Sequence, residues 1–551
     1  MRKKGISFVL SLAMVAGLAP NVANAAEKAD DVQAFLNSRN AVEAEQGPTG
    51  GVEFNAIEVN PEELTVVESN SDAVSVEVAA RDYDQYGSDY VYNRLNADEK
   101  AFYDALMALS KKYITTNASA NVEYSGELFL EGVSYGNLTF SRAKEIYFIF
   151  QYTNPQYYFL ANYFLYGGGA IYAGIYQEFT DGDVRKDATE AFFTKVDAAV
   201  AEVNKAPTEC YKALAAHDVV CNMTTYDTDF SLSDSGYNQT AWSTFMMDET
   251  VCAGYSKAYT IVANGAGLDT VGDTSPQGTY AHAWNRVKVE DGWYYVDCTW
   301  DDDPDGVGTV GYSFLLIGQP TLFELDETPN DAAHTTEDSW KGLLPDCPKN
   351  FEPGMKAEGI LVTEQDNNKI VAGAVASHSL GKENLEYQWQ VAEMNTSNWT
   401  LIQDWNDSEW LGWAPKRTGN YVIVCNVRDK NTGETVQLST GVNFVINEAH
   451  VIGKCQMPWW GPEGGFLIGF TSDTNPNQSY QYEVQILDCT KYANGEDAWV
   501  WSSGKHTVSE GTTYWTVWQP EYGYYWTLFI VYDANGTEVG RACYGFENIG
   551  E

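Results

Sequence analysis

Hydrophobic and polar positions follow two textures along the chain, and the texture changes near Pro353. Upstream, apolar residues recur at helical spacing. Asn96 with Glu99 three residues on forms a capping box, after which Phe102, Leu106, Leu109 and Tyr113 keep one helical face apolar. Ser141 is placed to cap a second helix through Tyr152, ended by Asn154-Pro155. A third helix is predicted over roughly 186–203, and a fourth from near Thr208 through Tyr211, Leu214, His217 and Cys221. The aromatic run TNPQYYFLANYFLYGGGAIYAGIYQEF predicts short strands around a glycine turn. Residues 81–206 thus read as a helical lobe, packed against a core at 207–350. Downstream of Pro353, β-rich runs such as LEYQWQVAE, YVIVCNVRD and YQYEVQILD alternate with turn residues. They predict two antiparallel, Ig-like β-sandwich modules, 355–448 and 449–551. WAPKRTGNYVIV and WQPEYGYYWTLF suggest a weak internal repeat between them.

Within the core, the segment DETVCAGYSKAYTIVANGAG predicts a helix beginning at or just after Cys252, with Tyr255, Ala258, Tyr259, Val262 and Ala266 on one face and Gly265 and Gly267 at its end. A cysteine at a helix N-terminus is favoured as thiolate by the helix dipole and by the exposed N–H groups, which can also hold a developing oxyanion. Further on, TYAHAWNRVKVEDGWYYVDCTWDD reads as two strands folding back on each other, with His282 on the first and Asp297 on the second. Side chains alternate faces along a strand, so an even loop puts both residues on one face and an odd loop separates them. A turn centred between Glu290 and Asp291 sets Asp297 opposite Trp284 and diagonal to His282. A two-residue Asp291-Gly292 turn moves the partners two residues further apart. Cysteine, histidine and carboxylate are the three groups a thiol nucleophile requires.

These blocks resemble the transglutaminase-like superfamily of secreted bacterial cysteine enzymes. ETVCAGYSKAY is similar to the family's nucleophile block, HAWNRVKVEDGWYYVDCTWDD to its histidine and aspartate block, and YKALAAHDVVCNMTTYD to the helix preceding the core; YSFLLIG followed by His334 is similar to its closing strand and trailing histidine. The resemblance covers roughly 90–345. It implies Cys252 as nucleophile, His282 as general base and acid, Asp297 as the residue orienting the imidazole, and a papain-like α+β core in which the cysteine helix packs on an antiparallel sheet. It implies acyl transfer on peptide or isopeptide amides, by hydrolysis first and glutamine–lysine cross-linking second. A non-catalytic cell-surface binding protein is the alternative from another class. Trp242 is a candidate side-chain oxyanion donor by sequence proximity alone. No cofactor or metal is expected.

The remaining features say where such an enzyme works. Residues 1–25 carry three basic residues, an apolar run and an Ala23-x-Ala25 site, the pattern of a cleaved export signal. A secreted protein is expected, free or held at the cell surface, not a transmembrane one. Residues 26–80 are acidic, with few aromatics and only Lys28 and Arg39 as basic residues, and predict a disordered spacer with room for a strand in LTVVES. Net charge is 33 − 77 = −44, which disfavours nucleic acid and anionic membranes as partners. The expected partner is a protein or peptide substrate. Twelve of the seventeen tryptophans lie beyond Pro353, which makes the β modules candidates for docking on cell wall or glycan, although core packing is their simpler role. Of nine cysteines, all but Cys252 read as structural; Cys210 and Cys221, eleven residues apart on one helix at ~1.5 Å rise, are too distant to bond each other. The acidic run Asp301, Asp302, Asp303, Asp305 and Gly306 lacks EF-hand spacing and reads as a solvated turn.

Overall fold

The computed structural model describes residues 55–67, 81–228, 236–276, 281–302, 310–325, 333–366 and 369–444, and most of 452–548 in segments. The expected export signal and most of the expected spacer lie outside these residues. The chain divides into two compact units, Met1–Glu352 and Pro353–Glu551.

In the first unit the capping box at Asn96 starts the helix Ala97–Thr115, with Glu99 answering the Asn96 backbone N–H at 2.9 Å. The second helix, Phe140–Thr153, is capped by Thr139 rather than Ser141. Asp181 caps Gly182–Val203, which starts four residues ahead of the expected position, and Thr208 caps Glu209–Cys221. The region is not a helical lobe, however. Strands β1 (Asn55–Glu58), β2 (Thr65–Val66), β3 (Val122–Tyr124), β4 (Glu127–Ser134), β5 (Leu160–Gly167) and β6 (Ala170–Ile175) form a six-stranded sheet in the order β1-β5-β6-β4-β3-β2. β1 runs parallel to β5 and β2 antiparallel to β3, so residues 55–66 belong to the folded unit and not to a disordered spacer. Their acidic exposed faces masked strand character in the composition.

The core contains a short parallel pair, β7 (Thr225–Tyr226) and β8 (Glu249–Thr250), and then the helix Cys252–Gly265. Every residue from Cys252 to Asn264 is buried, so this helix is enclosed all round and not along a single face. It packs on an antiparallel sheet of β9 (Thr270–Thr274), β10 (Ala283–Val289), β11 (Gly292–Val296) and β12 (Leu315–Ile317), ordered β12-β11-β10-β9. Polar side chains fix helix against sheet: Ser256 Oγ donates to the Trp284 carbonyl at 2.9 Å, and Asn285 Nδ2 donates to the Ser256 carbonyl at 3.0 Å and to Thr260 Oγ1 at 2.9 Å. A buried Arg286–Asp273 pair at 2.6 Å joins β9 to β10, and Arg286 also donates to Thr336 Oγ1 at 2.8 Å, tying in the segment that bears His334.

In the second unit, β13 (Met355–Asp366), β14 (Lys369–His378) and β17 (Trp410–Trp413) form one sheet, and β15 (Leu385–Glu393), β16 (Thr400–Asn406), β18 (Gly419–Asp429) and β19 (Thr435–Phe444) form another. Ile370, Ala372, Leu411, Trp389, Ile423 and Val427 from both sheets share one core, which makes this module a β-sandwich. The next module repeats the strand order: β20 (Ile452–Trp460), β21 (Phe466–Asp473) and β25 (Thr513–Trp518) in one sheet; β22 (Tyr480–Asp488), β23 (Trp499–Ser502), β24 (His506–Val508), β26 (Gly523–Tyr532) and β27 (Glu538–Asn548) in the other.

Candidate active site

The β10–β11 register decides whether His282 and Asp297 can meet. Asn285 pairs with Val296 and Val289 with Gly292, leaving Glu290 and Asp291 as a two-residue turn, with Glu290 at φ 54°. Continued by one step, this register sets Asp297 opposite Trp284, the first of the two alternatives that the sequence left open. His282 Nε2–H donates to Asp297 Oδ2 at 2.6 Å, and both side chains are fully buried.

Asp297 also serves the backbone. It is the N-cap of the short helix Cys298–Asp301, its Oδ1 accepting the Thr299 N–H at 2.9 Å. Its Oδ2 accepts a second hydrogen bond, from His334 Nε2 at 3.0 Å. The sequence pointed to His334 only as a trailing histidine; in space it shares the carboxylate with His282. Around these groups stand Trp284, Trp300 and Phe314, with the Trp300 ring 5.2 Å and the Trp284 ring 5.9 Å from the His282 ring. This dry wall strengthens the electrostatics inside it. Burial alone would lower the His282 pKa, but the charge and hydrogen bond of Asp297, with a further contribution from Cys252, push it up to about 10. Burial alone would raise the Asp297 pKa, but the His282 charge and the hydrogen bonds from both histidines hold it well below the usual carboxylate range. The pair is therefore an imidazolium and a carboxylate.

Cys252 is the first residue of its helix, buried, and preceded by Val251, which offers no side-chain cap. The helix N-terminus is thus left to the backbone N–H groups and whatever charge lies before them. His282 Nδ1, the nitrogen turned from Asp297, is buried, and the hydrogen bond and charge by which Cys252 helps raise the His282 pKa place the sulfur in the same chamber. Gly254 shows how tightly the nucleophile's turn is seated: a Cβ there would overlap Thr250 Oγ1.

Two further residues face this chamber without having been signalled by the sequence. Tyr226 is buried on β7 opposite Thr250, two residues from Cys252; its hydroxyl has no hydrogen-bond partner and feels the charges of Cys252, Asp227 and Asp297. Lys257, one turn along the nucleophile helix, is buried with Nζ donating to the Gln239 carbonyl at 3.0 Å and lying 4.8 Å from the Tyr152 ring. Burial lowers its pKa to about 7. Trp242 stacks on Tyr158 at 4.9 Å and meets Phe179 at 5.0 Å, so its ring belongs to an aromatic cluster. In the acidic run, Asp301 is buried beside His217 and Asp302 accepts the Tyr255 hydroxyl, so neither is a solvated turn residue, while 303–309 lie outside the described residues.

Residues 197–298 match the transglutaminase-like superfamily. That span contains Cys252, His282 and Asp297, so this part of the chain is a transglutaminase-like domain with an α+β core, a type that is typically a cysteine enzyme. No curated protein matches the chain. Among solved structures, selenomethionine-substituted chicken interferon gamma receptor alpha chain aligns at 10% identity over 34% of this chain and 96% of its own, with a TM-score of 0.16. The FN1-FN3 domains of chicken CNTN1 align at 9% identity over 35% of this chain and 67% of theirs, again with a TM-score of 0.16. Alignments at this level leave the β-sandwich description resting on the strand order and shared core given above.

Proposed function

We propose that the transglutaminase-like domain is a cysteine-dependent acyltransferase acting on peptide or isopeptide amides, with Cys252 as nucleophile, His282 as base and acid, and Asp297 as orienter. The observation that carries the reading is the 2.6 Å His282–Asp297 hydrogen bond inside a buried chamber that Cys252 shares with His282. The thiol proton resides on His282 Nδ1 in the resting site, so that a Cys252 thiolate faces the imidazolium. The thiolate attacks the amide carbonyl, and helix N-terminal N–H groups stabilise the oxyanion. The imidazolium then protonates the leaving amine and a thioester remains. Water releases the acid; a lysine amine gives a cross-link. Hydrolysis is the primary reading, because accessory β modules on an exported chain suit an enzyme that trims the surface it docks on.

The protein works outside the cell on protein or peptide substrates, with Trp399, Trp410 and Trp499 exposed on the β modules as docking positions for cell wall or glycan. The test is iodoacetamide labelling of the exported protein from pH 4 to 9 with peptide mapping, beside a His282→Ala variant. Selective modification of Cys252 at mildly acidic pH, lost in the variant, is the expected result. Labelling with no preference for Cys252 refutes the thiolate–imidazolium pair.

A further inference from the structure

A second buried cluster forms where the helix Glu209–Cys221 meets the short helix Cys298–Asp301. His217 and Cys221 lie one turn apart on the first helix, and Cys298 and Asp301 one turn apart on the second. His217 Nε2, Cys221 Sγ and Cys298 Sγ all lie within 4.8 Å of one another. Nε2 is 3.8 Å from the Cys221 sulfur and 3.2 Å from Asp301 Oδ2. Tetrahedral zinc, with bonds of about 2.0–2.3 Å, requires N···O edges of roughly 3.3 Å and N···S edges of roughly 3.6 Å. The two edges that run from His217 Nε2 are close to these values.

The surrounding groups match as well. Asp218 Oδ1 lies 3.2 Å from His217 Nδ1, so a carboxylate can take the N–H of that nitrogen and leave Nε2 as the ligand atom. The Phe314 N–H lies 3.1 Å from each Asp301 oxygen and fixes the carboxylate. His217, Cys221, Cys298 and Asp301 are each 3% exposed or less, which makes a soft, water-free donor set in a place where uncompensated thiolates and carboxylate would be costly.

We propose that His217, Cys221, Cys298 and Asp301 form a structural site for zinc or a zinc-like divalent cation. It is closed, with four protein ligands and no open position, so it is structural rather than catalytic. On binding, two S–metal bonds form and the two thiol protons leave to solvent. Because Cys298 directly follows Asp297, the ion clamps the turn that presents the catalytic carboxylate. The competing outcome for two adjacent thiols is a Cys221–Cys298 disulfide, but that bond would use neither His217 nor Asp301.

The test uses the full-length, tag-free chain prepared reduced and metal-free, titrated with cobalt(II) and then with zinc(II). The expected result is one cobalt per chain, with thiolate-to-cobalt charge-transfer and tetrahedral d–d bands that zinc displaces. Cys221→Val and Cys298→Val each abolish the charge-transfer bands while far-ultraviolet circular dichroism stays unchanged. His334→Gln, which dismantles the separate His282–Asp297–His334 group, retains them. Should a valine variant fail to fold, the alanine at the same position takes its place. Wild-type protein that binds no cobalt overturns the proposal, as does a cobalt spectrum that survives Cys298→Val. A Cys221–Cys298 disulfide in the peptide map of freshly purified, unreduced protein overturns it too.

Discussion

Replacing Asp297 by asparagine isolates the charge of the candidate triad from its geometry. The asparagine keeps an Oδ1 to accept the Thr299 N–H, held at 2.9 Å in the native chain, so the cap on the short helix survives. What is lost is the negative charge at Oδ2, which receives His282 at 2.6 Å and His334 at 3.0 Å. With its pKa raised from 6.5 to about 10, His282 takes up its proton more readily in the folded chain than in the unfolded one. The difference, 10 − 6.5 = 3.5 units at about 1.36 kcal/mol each, is on the order of 5 kcal/mol. Since the folded value is the higher one, this stabilisation is fully present below pH 6.5 and is lost as pH rises through 10. A similar figure, ~3–5 kcal/mol, is the usual cost of removing one partner from a buried ion pair. In Asp297→Asn the burial that lowers the His282 pKa is opposed only by the smaller contribution of Cys252, so the imidazole should titrate well below 10. The chain has six histidines, few enough for ring resonances to be assigned by substitution. Histidine NMR from pH 5 to 10 should show His282 protonated past pH 9 in the native chain and neutral at pH 7.5 in the variant. Urea unfolding should show a stability loss of several kcal/mol at pH 6 that shrinks by pH 10. An unmoved His282 titration, or a loss below about 1 kcal/mol at pH 6, refutes the electrostatic account.

Gly254→Ala forces a Cβ into Thr250 Oγ1, a hydroxyl already held by Ser243 and the Asn238 carbonyl; it should cost about 1–3 kcal/mol in thermal unfolding and slow alkylation of Cys252. Lys257→Met removes an amine whose pKa falls from 10.5 to about 7 on folding, so that between those values the unfolded chain binds more protons and stability rises with pH; the variant should gain up to about 4 kcal/mol at pH 7 and lose that slope in urea melts taken at pH 7 and pH 10. Tyr226→Phe deletes a buried hydroxyl that has no hydrogen-bond partner, so unfolding free energy should change by no more than about 1 kcal/mol while acyl transfer slows; an unchanged rate excludes the hydroxyl from the chemistry.

Local chemistry was the legible part of this sequence. Asn96 with Glu99 and Thr208 mark helix starts because a cap needs only residues a turn apart. Strand alternation reduced the His282–Asp297 question to the parity of one turn, and the register at Asn285 and Val296 then answered it. Non-local pairing was not legible. β1 finds β5 more than a hundred residues away, so no window of sequence displays the six-stranded sheet. Cys221 and Cys298, 77 residues apart, look like ordinary buried thiols until the fold sets them side by side.

The route of residues 55–66 bears on how far the chain can be shortened from its N-terminus. This one short segment supplies both outermost strands of the six-stranded sheet, four residues long on one side and two on the other. Strands so short offer little template for another chain to add to. A protease cutting after Val66 would remove both at once and bare the eight-residue β5, whose Leu160, Phe164 and Leu165 are buried. The chain can therefore be shortened from its N-terminus only up to about Asn55 without losing a strand. Beyond that point shortening turns a protected sheet into a sticky one, and self-association would be the first sign that too much has been removed.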